Sequence, residues 1–369
     1  MKHILKQTVF CVFVSLSFNN AVIAANNSHQ GHQHNNKPHH QHNKHQHMDH
    51  SQHSVVSQAP ISVMADHLHH KDGWMFSYRY MDMKMSGLQQ GKDDISHSDA
   101  LQKYMMLPKN MQMKMHMFGL MYGWSDEVTL MLMTHYLSND MDSVMRMNNS
   151  AQNHGHMADM NMPMMFSTSS SGLGDSKALV LVNLVGTADY RIHYQFGLSL
   201  PTGDIDQTAQ TPMHQHAMLG YPMQLGTGTY NVLGGVTGVW QYQQLQLGSQ
   251  LNFDSPLSDN EQNYKPGREW RWHNWAGYQI TQCLNMTLRL TWLDKANYSG
   301  QDPRLNPMMM PTADPSARGF EQIDIGLGVN YQIGQHRLSA EWSEASQLKV
   351  DGMQMANREQ LVFAWQLSF

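Results

Sequence analysis

The chain has 369 residues, of which only 14% are Asp, Glu, Lys or Arg, and its formal net charge at pH 7 is -5. That balance leaves no basic footprint for nucleic acid. Polarity comes instead from 24 His with Gln, Asn and Ser, and 33 Met stand where Leu would be ordinary, a composition foreign to a dry-cored globule.

Residues 1–24 read as a secretory signal peptide. Lys2 and Lys6 make the basic start, residues 9–18 an apolar run, and Ala21, Ala24 and Ala25 a small-residue cleavage site. The run is far shorter than the roughly 18 apolar residues that a membrane span needs. Cleavage would remove Cys11, which sits too early for a lipid-attachment cysteine. Cys283 alone would remain, and this excludes an intramolecular disulfide and a Cys-x-x-Cys metal site.

Residues 25–70 form a tail almost free of aliphatic side chains, which cannot bury enough apolar area to offset its ordering entropy and is expected to be disordered. Ten imidazoles, His29, His32, His34, His39, His40, His42, His45, His47, His50 and His53, can each offer a neutral nitrogen to copper, nickel or zinc. No resident cofactor is required.

From residue 71 onward the period becomes two. In the last residues Leu361, Phe363, Trp365, Leu367 and Phe369 alternate with Val362, Ala364, Gln366 and Ser368, and a strand turns these two sets to opposite faces. The same pattern predicts about twelve strands, near 73–85, 110–122, 127–137, 175–185, 190–200, 227–240, 245–253, 268–281, 284–296, 320–332, 337–346 and 358–369. Tight turns alternate with long connections around 86–109, 138–174, 201–226, 254–267, 297–319 and 347–357. Short turns opposite long loops predict an all-β, antiparallel transmembrane barrel over 71–369, preceded by the His-rich segment. An even strand number leaves both termini, and the tail, in the periplasm. A soluble sandwich or lipocalin-like barrel also alternates. The charged polar faces and the aromatics near strand ends, such as Trp74, Tyr122, Trp240 and Trp272, favour a wet lumen and interfacial girdles.

On this pattern Arg79, Lys114, His116, Glu127, Met131, Met133, His135, Arg191, His193, Glu269, Arg271, Arg289 and Arg337 are expected to face the lumen. Of the 33 methionines, 21 fall between Met75 and Met165. Thioether sulfur is a soft ligand, but Met is also an adaptable hydrophobe, so the face decides its meaning. Met111, Met113, Met115, Met117 and Met121 lie opposite Gln112, Lys114 and His116, which predicts that the Met row faces lipid. The stretch around His154, His156, Met157, Met160, Met162, Met164 and Met165 is expected to be a flexible loop whose mixed imidazole and thioether ligands could close around copper. Met213, His214 and His216 could join it.

The segments MHMFGLMYGWSDEVTLM, SGLGDSKALVLV, LSLPTGDID, YPMQLGTGTYNVLGG and LNPMMMPTADPSARG, with the terminal Phe369, resemble bacterial outer-membrane transporters of the phenol-degradation meta-pathway type. The resemblance covers about the C-terminal three-quarters of the chain and implies a barrel in outer-membrane lipid. It further implies that Phe369 is a signal for the barrel-assembly machinery. The tail lies outside it.

No phosphate loop, nucleophile elbow or His-Glu-x-x-His motif is present, so no enzyme is expected. The sequence thus predicts an outer-membrane channel or transporter associated with copper or a similar soft metal. Two alternatives stay open: a channel for small hydrophobic or aromatic compounds, and a metal-sequestering surface barrel without transport.

Overall fold

The computed structural model describes residues 58–146 and 163–369. The main strands are β1 (Trp74–Gly91), β2 (Met106–Gly123), β3 (Val128–Met145), β4 (Met164–Leu173), β5 (Ser176–Gly186) and β6 (Tyr190–Leu200). They continue with β7 (Asn231–Tyr242), β8 (Leu245–Pro256), β9 (Glu269–Gln279), β10 (Leu284–Lys295), β11 (Phe320–Ile333) and β12 (His336–Ser368). Eleven of them pair in sequence order, and β12 pairs back onto β1 to close an antiparallel barrel. Two strands lie outside this ring: β4, which pairs only with β3, and Asp93–Ile95, which pairs with β1.

The 33-residue β12 is two staves of the wall. Its first arm pairs with β11 from His336 to Val350, and its second pairs with β1 from Val350 to Ser368. The arms lie side by side: the His336 and Trp365 rings are 5.9 Å apart, and Ser368 N–H donates to the Gln335 carbonyl at 3.1 Å. The fold-back falls at Gly352, whose φ of +72° suits a residue without Cβ. The wall therefore has twelve staves. Trp74 and Phe369 exchange backbone hydrogen bonds of 2.8 and 2.9 Å, so both ends of the barrel chain meet at one rim.

Alternation decides what each stave shows to either side. Leu130, Leu132, Phe196, Leu198, Leu288, Leu290, Leu327 and Phe363 stand exposed on the outer surface, and so continuous an apolar band requires a nonaqueous neighbour. Aromatic residues edge it. Trp74 packs on Tyr122 at 4.4 Å and Trp240 on Tyr242 at 5.8 Å near the tight turns. Trp272 and Trp292 lie nearer the other rim, with their indole N–H groups donating to Ser249 and Glu321. Six residues, about 20 Å along a strand, separate Trp272 from Tyr278, a height close to the apolar band of an outer-membrane barrel.

Above the band the staves continue. β1, β2 and β3 each run for 18 residues, so parts of the expected loops 86–109 and 138–174 are strand. Almost all of the expected loop 347–357 is strand as well. The reason is physical: past the hydrocarbon the outer positions no longer need apolar side chains, and over 138–143 only Met141 is apolar among Ser138, Asn139, Asp140, Asp142 and Ser143. Met164 and Met165 belong to β4, paired with Met145 and Val144, rather than to a flexible loop. As strand neighbours they point to opposite faces and cannot converge on one ion.

The long connections pack into a cap at this end. Met105 and Met106 N–H groups donate to the Met309 carbonyl, and Tyr221 stacks edge-on against Tyr264 at 4.9 Å. Arg304 is hydrogen-bonded to Asp302, and to Asp206 at 2.7 Å, contacts that hold its guanidinium more firmly protonated than usual. Between β4 and β5, Asp175 accepts from Gly203 N–H, Thr227 N–H and the Thr227 hydroxyl at 2.7 to 3.0 Å, which ties the wall to the cap.

The face assignment is directly testable in a Cys283→Ser background, since Cys283 is exposed. Cysteine placed at Met115 should react with small aqueous thiol reagents entering the lumen. Cysteine at Leu130 or Leu132 should instead be modified by lipid-soluble maleimides. Reversed labelling would mean that the pairing register is wrong by one residue.

Candidate functional site

The lumen has a floor, two unlike walls and a roof. The floor is the segment from Gln58 to His69, which crosses the interior at the tight-turn end. Its apolar residues Ala59, Ile61, Val63 and Ala65 are buried. Val63 and Ala59 pack with Val239 and Trp275, Ile61 with Met81 and Val362, and Ala65 with Met75, Met121 and Leu181. Its backbone is paired to the wall. Arg337 and Asn330 donate to the Ala59 carbonyl at 2.5 and 3.3 Å, Gln250 to the Met64 carbonyl at 2.9 Å, and His193 to the Ala65 carbonyl at 2.9 Å. At the far side His69 N–H donates to Thr129 at 2.9 Å. The segment then leaves over Gly123, where a Cβ would lie 1.9 Å from the His70 carbonyl.

Residues 58–69, which composition groups with the histidine-rich tail, are therefore the interior floor of the barrel. An unfolded strap of this length would be costly to bury unless its carbonyls found donors, and the wall supplies them. The ten histidines from His29 to His53, with His154, His156, Met157, Met160 and Met162, lie outside the described residues.

One wall is thioether. On β1, β2 and β3 the inward positions form a lattice of directly opposed residues. Met75 faces Met121, which faces Met131; Met81 faces Met115, Met83 faces Met113, and Met85 faces Met111, which faces Met141. Met117 stands between Arg79 and His135. The expectation that the row Met111, Met113, Met115, Met117 and Met121 faces lipid is thus overturned: Met111 and Met121 are 2% and 1% exposed, and the other three line the lumen. Lys114 and His116 are correspondingly on the outer face, not in the lumen. His116 hydrogen-bonds with the Tyr78 hydroxyl at 2.8 Å, and Lys114 lies opposite Asp82. They stand there without conflict because β2 meets hydrocarbon only through Phe118, Leu120 and Tyr122, and the rest of its outer face is above the apolar band. Glu127 also leaves the lumen set; it is exposed in the turn before β3, where Ser125 donates to its carboxylate at 3.0 Å.

The facing wall is charged. Glu269 accepts from Arg271 at 2.7 Å, and Arg289 donates through Nε to Glu341 at 2.7 Å and also bonds Thr291. Glu341 is shared, since its other oxygen accepts from Ser62 N–H of the floor at 3.3 Å. Arg79, Met131, Met133, His135, Arg191, His193 and Arg337 also project inward, most of them buried. Lys177, Asp324, Glu341 and Trp275 join the interior without having been singled out in sequence. Between the two walls lies a cavity of about 580 Å³, floored by Ser62 and Met64 and roofed by Pro222, Thr312 and Arg318. Among the described residues, no group of three or more His, Cys, Asp or Glu is placed to hold a metal ion.

No family model and no curated protein matches this sequence. Among solved structures, an outer membrane channel from Pseudomonas putida F1 superposes with a TM-score of 0.55 at 11% identity, covering 83% of this chain and 99% of that one. The Ralstonia pickettii toluene transporter TbuX gives 0.40 at 10% identity, over 82% and 90% of the two chains. A Pseudomonas aeruginosa FadL homologue gives 0.37 at 9%, over 81% and 90%. At these identities the likeness to the P. putida channel is one of fold.

The Arg289–Glu341 pair gives a test of the charged wall. Glu341→Ala leaves a buried guanidinium without its carboxylate and should destabilise the barrel by about 3–5 kcal/mol. Arg289→Met combined with Glu341→Ala should recover most of that loss. Urea titration followed by heat-modifiable gel mobility reads both, and an undestabilised single variant would contradict the pairing.

Proposed function

We propose that this protein is an outer-membrane channel that passes small, uncharged and largely apolar solutes, with the strap 58–69 as its constriction. The observation that carries the reading is the pairing of an apolar belt outside with a roughly 580 Å³ cavity inside, one wall of which is thioether and aliphatic. Small-solute sites are mostly apolar cavities of this order, with a few fixed polar groups for orientation. Here Glu269, Arg271 and Asp324 are those groups. The shared fold with the P. putida outer membrane channel supports the setting. The barrel's first and last strands, whose ends Trp74 and Phe369 meet at the tight-turn rim, would have those ends on the periplasmic side. Phe369, paired to Trp74 at the closing seam, would be the residue read by the assembly machinery.

Deletion of residues 58–66 tests this reading. The shortened protein should still fractionate with the outer membrane and keep its heat-modifiable mobility. Its conductance in planar bilayers, and its uptake of a small aromatic probe into liposomes, should rise several-fold. Equal conductance in the two forms would show that the strap is not the constriction.

The histidine tail is a separate proposal, as a periplasmic collector of divalent metal, and rests on ten imidazoles within 25 residues. Only neutral imidazole binds metal, so affinity falls as pH drops through the ordinary histidine pKa of about 6.5. A peptide of residues 26–57 should bind Cu(II), Ni(II) or Zn(II) at pH 7 and release it near pH 5. Retention at pH 5 would exclude imidazole as the ligand.

A further inference from the structure

The methionines of the first three staves are sorted by face. On the outer side, β1 carries Trp74, Phe76, Tyr78 and Tyr80, β2 carries Phe118, Leu120 and Tyr122, and β3 carries Val128, Leu130 and Leu132. No methionine stands among the outward positions of these staves. The inward positions hold the opposed lattice described above. If Met served here only as a flexible substitute for Leu, both apolar faces would use it. The lipid side uses Leu, Val, Phe and Tyr, so what separates the two faces is the sulfur atom.

We propose that the lattice formed by Met81, Met83 and Met85 of β1 with Met115, Met113 and Met111 of β2 is a binding site for soft monovalent cations, Cu(I) and Ag(I). The three pairs sit directly opposite one another on neighbouring antiparallel strands, where Cβ atoms are about 4.5–5.5 Å apart. Met has three rotatable bonds, so two or three sulfurs can converge on one ion between the strands. Thioethers are neutral and soft; they take Cu(I) and Ag(I) and offer little to Zn(II) or Mg(II). All six line the cavity, so an ion can reach them. The lower trio Met75, Met121 and Met131 is buried against Ala65 of the floor, leaving the upper three pairs on the cavity. The inference rests on the reading of this interior as a solute pathway only in requiring that the methionines be reachable from water.

Ag(I) is the probe, because it needs no reductant. The full-length protein, folded in detergent, is loaded with Ag(I) at pH 5 and passed over a desalting column, and bound silver is counted by mass spectrometry. At that pH the tail imidazoles are protonated, whereas thioethers do not titrate. Wild type should retain at least one Ag(I) per barrel and no Zn(II), and X-ray absorption should show sulfur neighbours. Replacing all six residues by Leu, close to isosteric with Met, should weaken retention tenfold or more. Passage of the small aromatic probe is measured on barrels that keep all six methionines, and Ag(I) retention should be the same with and without residues 58–66, which hold none of the six. That arm separates failure of the cation site from failure of the apolar channel. Absence of Ag(I) retention by wild type at pH 5 would overturn the proposal, even if the Leu variant did not fold. Equal retention by a Leu variant with normal heat-modifiable mobility would overturn it as well.

Discussion

Closure of the sheet is the constraint on which the rest of this structure depends. A strand whose outer face meets hydrocarbon has no water to satisfy its N–H and C=O groups, so each stave must be paired on both edges. The seam between β1 and the second arm of β12 therefore matters as much as any side-chain contact: without the register from Met75 with Ser368 onward, two edges would lie open. Once the ring is closed, the two-residue period of the strand fixes everything else. Within the hydrocarbon each side chain must be suited either to lipid or to the interior, with no third choice.

That division explains why the interior tolerates a composition that a dry core would not. Buried arginines and glutamates are costly unless paired, and here Glu341 bonds Arg289 on one side and the strap on the other. The strap is held in the same way, by donors from four different staves acting on three of its carbonyls. Side chains of the wall thus do for the strap what a neighbouring strand would do in an ordinary sheet. Its apolar residues then pack against the inner face of the wall at the tight-turn end.

The two walls divide chemistry along chain order. The first three staves bring thioethers and the later ones bring charge, because sequential antiparallel pairing keeps neighbours in sequence neighbours in space. A local compositional bias, 21 methionines in about 90 residues, becomes one contiguous surface. The same bias in a fold with long crossovers would be scattered.

The sequence by itself determined the class of fold and most of the staves, because alternation over the apolar band is a local signal that needs no partner. It also determined that Arg79, Arg271, Arg289 and Arg337 must avoid lipid. It misled at Lys114 and His116, where parity was read from charge. The better guide was Phe118, Leu120 and Tyr122, which share that parity and do meet hydrocarbon. Charge on the outer face was admissible only because β2 rises past the membrane, and height is a property of the assembled wall rather than of any one strand. The role of residues 58–69 was likewise decided only by tertiary structure. Ala59, Ile61, Val63 and Ala65 show no more than a short alternation, and the donors that hold them come from residues 128 to 278 positions away in the chain. Pairing across such separations leaves no local mark, which is why the floor, and the methionine lattice above it, appeared only when the sheet closed.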